Sequence, residues 1–138
     1  MKKIIIINGI NLKELGTREV NIYGNLRFDD FFAELKQNHP TIDLIYHQSD
    51  NVEEIAQYIL QHKEADGIIL NPGAFTHTSL ILADTIKNVM VPVIEVHISN
   101  LYGRELYRRK SLISSVCKGQ ICGFGLKGYE MALSYFES

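Results

Sequence analysis

The sequence predicts an α/β domain built on a parallel sheet, and two observations carry that prediction. Short, β-branched apolar runs alternate along the chain with amphipathic stretches of about ten residues, the pattern of strand–helix–strand crossovers. The first run, KIIIIN at residues 3–8, is apolar without alternation, as a strand covered on both faces must be.

Each further element has its own signal. Residues 28–38 place Phe28, Phe31, Phe32 and Leu35 on one helical stripe, and Pro40 stops that helix. Residues 42–47 form a second strand. Asp50 is a suitable N-cap for a helix running to about His62, with Val52, Ile55, Ala56, Ile59 and Leu60 facing the core. A third strand covers residues 67–71, and a helix follows from about Thr78 to Asn88. The fourth strand spans residues 92–98, a short helix 103–109, and a short fifth strand 120–123. The last helix, from about Leu126 to Glu137, turns Met131, Leu133 and Phe136 inward. Five such units make one domain over residues 1–138, a flavodoxin-like, doubly wound parallel sheet in the order 2-1-3-4-5 with helices on both faces. Ligands of such folds bind beyond the carboxyl ends of the strands, at the switch point. Functional residues are therefore expected after strands one, three and four.

Composition narrows the classes. Of 138 residues, 46% are apolar, enough for a core without disulfides or a metal. Charged residues are 22% and the formal net charge is -2, which gives no reason to expect a nucleic-acid or anionic-membrane partner. Arg108-Arg109-Lys110 is the only dense basic cluster and reads as a solvated face. Cys117 and Cys122 match no common zinc or redox spacing and read as reduced thiols of a cytosolic protein. MKKIIIING carries four isoleucines, fewer than the roughly seven apolar residues of a secretory segment, so a strand is expected there. No stretch approaches the roughly 20 apolar residues of a membrane span.

Three segments hold residues that can carry chemistry. After strand one, residues 9–27 contain Asn11, Arg18 and Tyr23 among Gly9, Gly16 and Gly24; a connection of this length is either a lid or a variable surface loop. NPGAFTHTS at residues 71–79 follows strand three, with Thr76 or Thr78 available as a helix cap and Asn71 and His77 beside it. His77 also fits simple packing at a helix start. In VIEVHISN, residues 93–100, Glu95 and His97 lie on one face of a strand, about 7 Å apart along the backbone. A carboxylate there is costly unless paired, so Glu95 is expected to hold the His97 imidazole, as a structural pair or a functional one. GFGLKG at residues 123–128 matches G-x-G-x-x-G, but neither a following βαβ unit nor the required acidic residue accompanies it. Its glycines are read as allowing close strand–helix packing. His47 is ambiguous, His39 and His62 read as surface residues, and Tyr58, Tyr129 and Tyr135 as packing residues. No group of His, Cys, Asp and Glu has metal spacing.

Together, NGINLKELGTREVNIYGN, HQSDNVEEI, NPGAFTHTS, VIEVHISNLYGRELYRRKS and GQICGFGLKGYEMAL resemble type II 3-dehydroquinate dehydratase, in the family's order and spacing across nearly the whole chain. The resemblance implies a cytoplasmic lyase of the shikimate pathway that removes water from 3-dehydroquinate by anti elimination through an enolate, with no cofactor and no metal. It implies Tyr23 as the base, assisted by Arg18, since a nearby cation favours tyrosinate. Asn11 matches the residue that stabilises the enolate oxygen, and His97 the general acid, with Glu95 as its orienter. Asn71, the backbone at Ile98, and Ser99 match holders of the substrate carboxylate; His77 and Arg108 match groups that bind ring hydroxyls. Asp84 matches a residue contributed across a subunit contact, in a family typically assembled as a dodecamer of four trimers. Against this stand two other readings. One is a non-catalytic flavodoxin-like binding module, which NGINLKELG does not favour because it lacks dense phosphate-cradling glycines. The other is a degenerate scaffolding relative, which intact Tyr23, Arg18 and His97 oppose.

The chain also departs from the family pattern. Ile10 and Lys13 stand where the family usually reads NGPNLN, and Val20 where it reads REP. Asp50 replaces the Asn of QSN, Ala83 a frequent Arg, and Tyr102-Gly103 a common His-Ala pair. Loss of two prolines loosens the segment after strand one. It is expected to be mobile without ligand, and well-ordered, low-mobility density for residues 11–22 in a ligand-free crystal would count against this.

Overall fold

The computed structural model describes residues 1–9 and 27–137. Its described strands are β1 (Lys2–Asn8), β2 (Ile42–Gln48), β3 (Gly67–Asn71), β4 (Val93–His97) and β5 (Gly119–Cys122). Its described α-helices are α1 (Phe28–Asn38), α2 (Val52–Gln61), α3 (Leu80–Lys87) and α4 (Lys127–Glu137). All strand pairs are parallel, in the expected order β2-β1-β3-β4-β5. The chain is thus a flavodoxin-like, doubly wound sheet.

Side-chain alternation divides the core. Ile4, Ile5, Ile6 and Ile7 are all at 0% exposure. Ile4 and Ile6 pack with Phe28, Phe31 and Leu35 of α1 and Tyr129, Leu133 and Phe136 of α4. Ile5 and Ile7 pack on the opposite face with Ile55 and Ile59 of α2 and Leu82 and Ile86 of α3. Successive residues serve opposite layers because the strand has period two. Each isoleucine contributes about 1.5–3 kcal/mol by burial.

Several local expectations are corrected. Asn51, not Asp50, caps α2 by accepting from the Glu54 N–H at 3.0 Å; Asp50 instead accepts from Gln48 Nε2. Neither Thr76 nor Thr78 caps α3. Gly73–His77 closes into a 3₁₀ turn, α3 begins later, and Ser79 accepts from the Leu82 N–H at 3.1 Å. The expected helix over 103–109 is two 3₁₀ turns, Leu101–Gly103 and Leu106–Arg108. Leu60 is exposed because it sits at the edge of its helical stripe, and Met131 because it lies on the far side of α4 from the buried stripe. Tyr135 is exposed as well, whereas Tyr129 is buried as expected. Gly128 does permit close packing: a Cβ there would lie 3.2 Å from Val96. Gly123 and Gly125 serve the turn, with positive φ of 95° and 61°.

His47 and His62 form an unforeseen pair. Their Nε2 atoms are 2.9 Å apart, and His47 stacks on Tyr58 at 4.1 Å. One ring must donate and the other accept, so at least one stays neutral. Burial lowers the His47 pKa; burial, His47 and Lys3 lower that of His62. A folded-state pKa below the unfolded value means the unfolded chain binds more protons. The pair's contribution is therefore full above the unfolded value of about 6.5 and is lost as pH falls toward the lowered folded values. Urea midpoints should fall between about pH 7.5 and about pH 5.5, and less steeply in His62→Gln; an unchanged slope in the variant would contradict this.

Candidate active site

β1, β3 and β4 end side by side, and their carboxyl ends build the site. Asn8 and Asn71 are register partners at the ends of β1 and β3. Just beyond, Gly9 N–H donates to the Asn71 carbonyl at 2.7 Å. A Cβ on Gly9 would stand 2.3 Å from the Pro72 carbonyl oxygen, so only glycine lets the chain pass here. Asn71 is buried; its Oδ1 accepts from Gly73 N–H at 3.2 Å and its Nδ2 donates to Tyr129 Oη at 2.9 Å. The Tyr129 hydroxyl donates in turn to Asn8 Oδ1 at 2.7 Å, and Asn8 Nδ2 donates to Tyr46 Oη at 3.3 Å.

The expected Glu95–His97 pair is present on β4. His97 Nε2 meets Glu95 Oε2, which leaves Nδ1 as the nitrogen free of Glu95. Glu95 has no solvent exposure, so its charge needs partners. Ser114 Oγ donates to Oε1, while Gln120, its register partner on β5, approaches Oε2 at 3.4 Å and donates to Ser114 Oγ at 3.0 Å. Ser111 holds this arrangement by accepting from the backbone N–H groups of Ile113 and Ser114. Burial pushes the Glu95 pKa up, but the hydrogen bonds and charge of His97, with bonds from Ser114 and Ser111, outweigh it and hold the carboxyl below its usual value. Burial, then the Glu95 charge, pushes the Cys117 thiol up to about 12, so it stays neutral. Cys117 and Cys122 are both free thiols.

After β4 the chain opens a hollow of about 590 Å³, lined by Ile98, Ser99, Asn100, Arg104, Gly123 and Gly125, among others. Arg104 Nη1 donates to Ser99 Oγ at 3.3 Å. His77 Nδ1 donates to the Lys110 carbonyl at 2.7 Å, and Leu112 N–H donates to the Thr76 carbonyl. Those two bonds stitch the segment after β3 to the one carrying Arg108. Arg108 itself pairs with Glu105 at 3.6 Å and lies over Tyr107. Asp84 is exposed on α3, and among the described residues no hydrogen bond joins its side chain to the other candidates. Asn11, Arg18 and Tyr23, with the lid expected around them, lie outside the described residues. Among those described, no group of three or more His, Cys, Asp and Glu is placed to hold a metal ion.

Asn8, Ser114, Gln120 and the polar role of Tyr129 escaped the sequence reading. Asn8 had a usable signal, a polar residue closing a buried strand beside the switch point. So did Tyr129, since a buried phenol needs a partner for its hydroxyl. Ser114 had none, because only the fold brings it to Glu95. Ser114→Ala should cost about 1.5–3 kcal/mol at neutral pH, as expected for a bond to a charged group. Because the folded Glu95 pKa is depressed, this loss should persist down to the ordinary carboxylate value of about 4.3 and vanish only below it. Denaturant unfolding of both proteins across that range measures it; equal stability at neutral pH would refute it.

The chain matches the family Dehydroquinase class II over residues 2–137. It is 46% identical over 136 residues to a 3-dehydroquinate dehydratase of Bacillus cereus, covering 96% of this chain and 93% of that one. It is 47% identical over 139 residues to the 3-dehydroquinate dehydratase of Caldicellulosiruptor saccharolyticus, covering 96% and 94%. Crystal structures of type II dehydroquinases superpose closely. That from Butyrivibrio crossotus has a TM-score of 0.95 at 41% identity, over 99% of this chain and 98% of the other. That from Propionibacterium acnes has a TM-score of 0.93 at 39% identity, over 98% and 95%. Similarity that runs through sequence and fold alike over almost the full length places the chain in the dehydroquinase class II family.

Proposed function

We propose that this chain is a 3-dehydroquinate dehydratase, a lyase that removes water from 3-dehydroquinate to give 3-dehydroshikimate in the shikimate pathway. The observation that carries the reading within the site is His97: a buried imidazole at the carboxyl end of β4, held by an ionised Glu95, in a chain of this family. A histidine so placed can deliver a proton to a leaving hydroxyl.

The steps follow from these roles. Tyr23, favoured as tyrosinate by Arg18, takes a proton from the carbon beside the ketone. The C–H electrons form the enolate, whose oxygen is stabilised by Asn11 through a bound water. The enolate then collapses: the ketone re-forms, a carbon–carbon double bond is made, and the carbon–oxygen bond to the departing hydroxyl breaks. His97 protonates that hydroxyl, so it leaves as water. Since Nε2 faces Glu95, the proton comes from Nδ1. Glu95 stays anionic and stabilises the imidazolium before the transfer. Asn71, the backbone at Ile98, and Ser99 hold the carboxylate, and His77 and Arg108 the ring hydroxyls. The hollow beside Ile98 and Ser99 has room for a substrate.

The same reading assigns residues 1–138 to a single catalytic domain without cofactor or metal, in a cytoplasmic dodecamer of four trimers. Asp84, exposed on α3, then acts across a subunit contact. No described helix is long and apolar enough to cross a membrane.

The test is the ultraviolet absorbance of the conjugated enone formed from 3-dehydroquinate. Wild-type protein should produce it; His97→Ala should lower kcat by about 10²–10⁴-fold, and Tyr23→Phe should abolish the base step. Activity should survive borohydride in the presence of substrate, unlike that of a lysine Schiff-base enzyme. No absorbance change with wild-type protein would refute the activity, whereas full activity in Tyr23→Phe would refute only the assignment of the base.

A further inference from the structure

The Gly73 N–H is a backbone donor and cannot accept, so the group it meets at 3.2 Å, Asn71 Oδ1, is fixed as the oxygen of that amide. Asn71 Nδ2 must then face Tyr129 Oη, 2.9 Å away. Toward Asn71 the phenol can only accept, which commits its single hydrogen to Asn8 Oδ1 at 2.7 Å. Asn8 Nδ2 is thereby turned to Tyr46 Oη at 3.3 Å. Burial pushes the Tyr46 pKa up to about 12, so the chain of bonds ends on a neutral phenol. Every donor and acceptor along the line is assigned by one backbone N–H.

We infer that Tyr129 is a positioning residue for substrate binding: with the Asn71 amide oriented by the Gly73 N–H, the buried Tyr129 hydroxyl accepts one Nδ2 hydrogen and holds the amide in place, so that the second Nδ2 hydrogen is offered to an acceptor oxygen of the substrate. This rests on the reading of Asn71 as a holder of the substrate carboxylate. Tyr129 is at 0% exposure, ringed by Phe28 at 5.0 Å and Phe31 at 5.9 Å, so its ring cannot swing away and its hydroxyl stays in register with Asn71. A carboxylate oxygen is an acceptor and suits the N–H so presented; with the amide reversed, oxygen would face oxygen.

Tyr129→Phe removes the hydroxyl and keeps the ring. Because Asn71 holds the substrate in ground and transition states alike, KM should rise about 3–10-fold, the size of one net hydrogen bond, with kcat little changed. In an Asn71→Ala background the same substitution should have no further effect on KM. Should Tyr129→Phe not fold, Asn8→Ala serves instead, since it frees the hydroxyl hydrogen to turn against Asn71 and should raise KM in the same way. The Asn71 side-chain amide resonances, identified by their loss in Asn71→Ala, should shift in Tyr129→Phe. An unchanged KM, or a loss that simply adds to that of Asn71→Ala, overturns the role of Tyr129. An Asn71→Ala protein with wild-type KM overturns the substrate role of Asn71 and the inference with it. Unshifted amide resonances overturn the lock itself, whatever the activity on 3-dehydroquinate proves to be.

Discussion

The four isoleucines of β1 have no contact with water, so both faces of that strand must be covered, and polar groups can enter only at its ends. Parallel pairing to β2 on one side and β3 on the other fills its hydrogen-bonding edges. Helices α1 and α4 cover one face, α2 and α3 the other. Polar side chains at the ends of these central strands are still buried and must find partners within the protein. Asn8 and Asn71 meet that requirement through Tyr129, a residue of the last helix. The hydrogen-bonded line at the carboxyl edge, part of the candidate site, thus joins the first strand, the third strand and the C-terminal helix, which no local segment contains.

Glu95 is the most demanding case. A carboxylate without solvent exposure stays ionised only if its oxygens are satisfied. His97 meets one oxygen and Ser114 the other, with Gln120 bridging between them. These groups come from β4, from the 3₁₀ turn Ser114–Val116 and from β5. The orientation of the His97 ring therefore depends on how the chain from Ser111 to Gln120 packs against β4. Both requirements, a buried charge and an aimed imidazole, are met by the same set of hydrogen bonds.

Sequence reading succeeded where the governing interaction is local or periodic. Strand and helix periods are set by backbone geometry, so the element order, the sheet order and most inward-facing residues were legible. The same logic put Glu95 and His97 on one face of a strand. It failed where neighbours compete. Asn51 and Ser79 took the caps expected of Asp50 and of Thr76 or Thr78, because a shift of a residue or more in the helix start changes which side chain meets the free N–H groups. The segment after residue 100 broke into two short turns. Arg108 and His77 carry roles suggested by resemblance alone, since nothing in their spacing sets them apart. The fold adds that the segments bearing them are stitched together through Lys110 and Leu112.

By itself the sequence determined the doubly wound parallel sheet, the pairing of Glu95 with His97, and the family to which its motifs belong, and it singled out the sheet edge where functional residues are expected. These follow from periodicity, from strand geometry and from motif order, all of which are read along the chain without knowing which distant residues meet. Only the tertiary structure decided that Ser114 and Gln120 satisfy Glu95, that His47 meets His62, and that Tyr129 links Asn71 to Asn8. Those contacts join residues far apart in the chain, and their partners are chosen by burial: a polar group shut off from water must bond whatever the packing brings within reach.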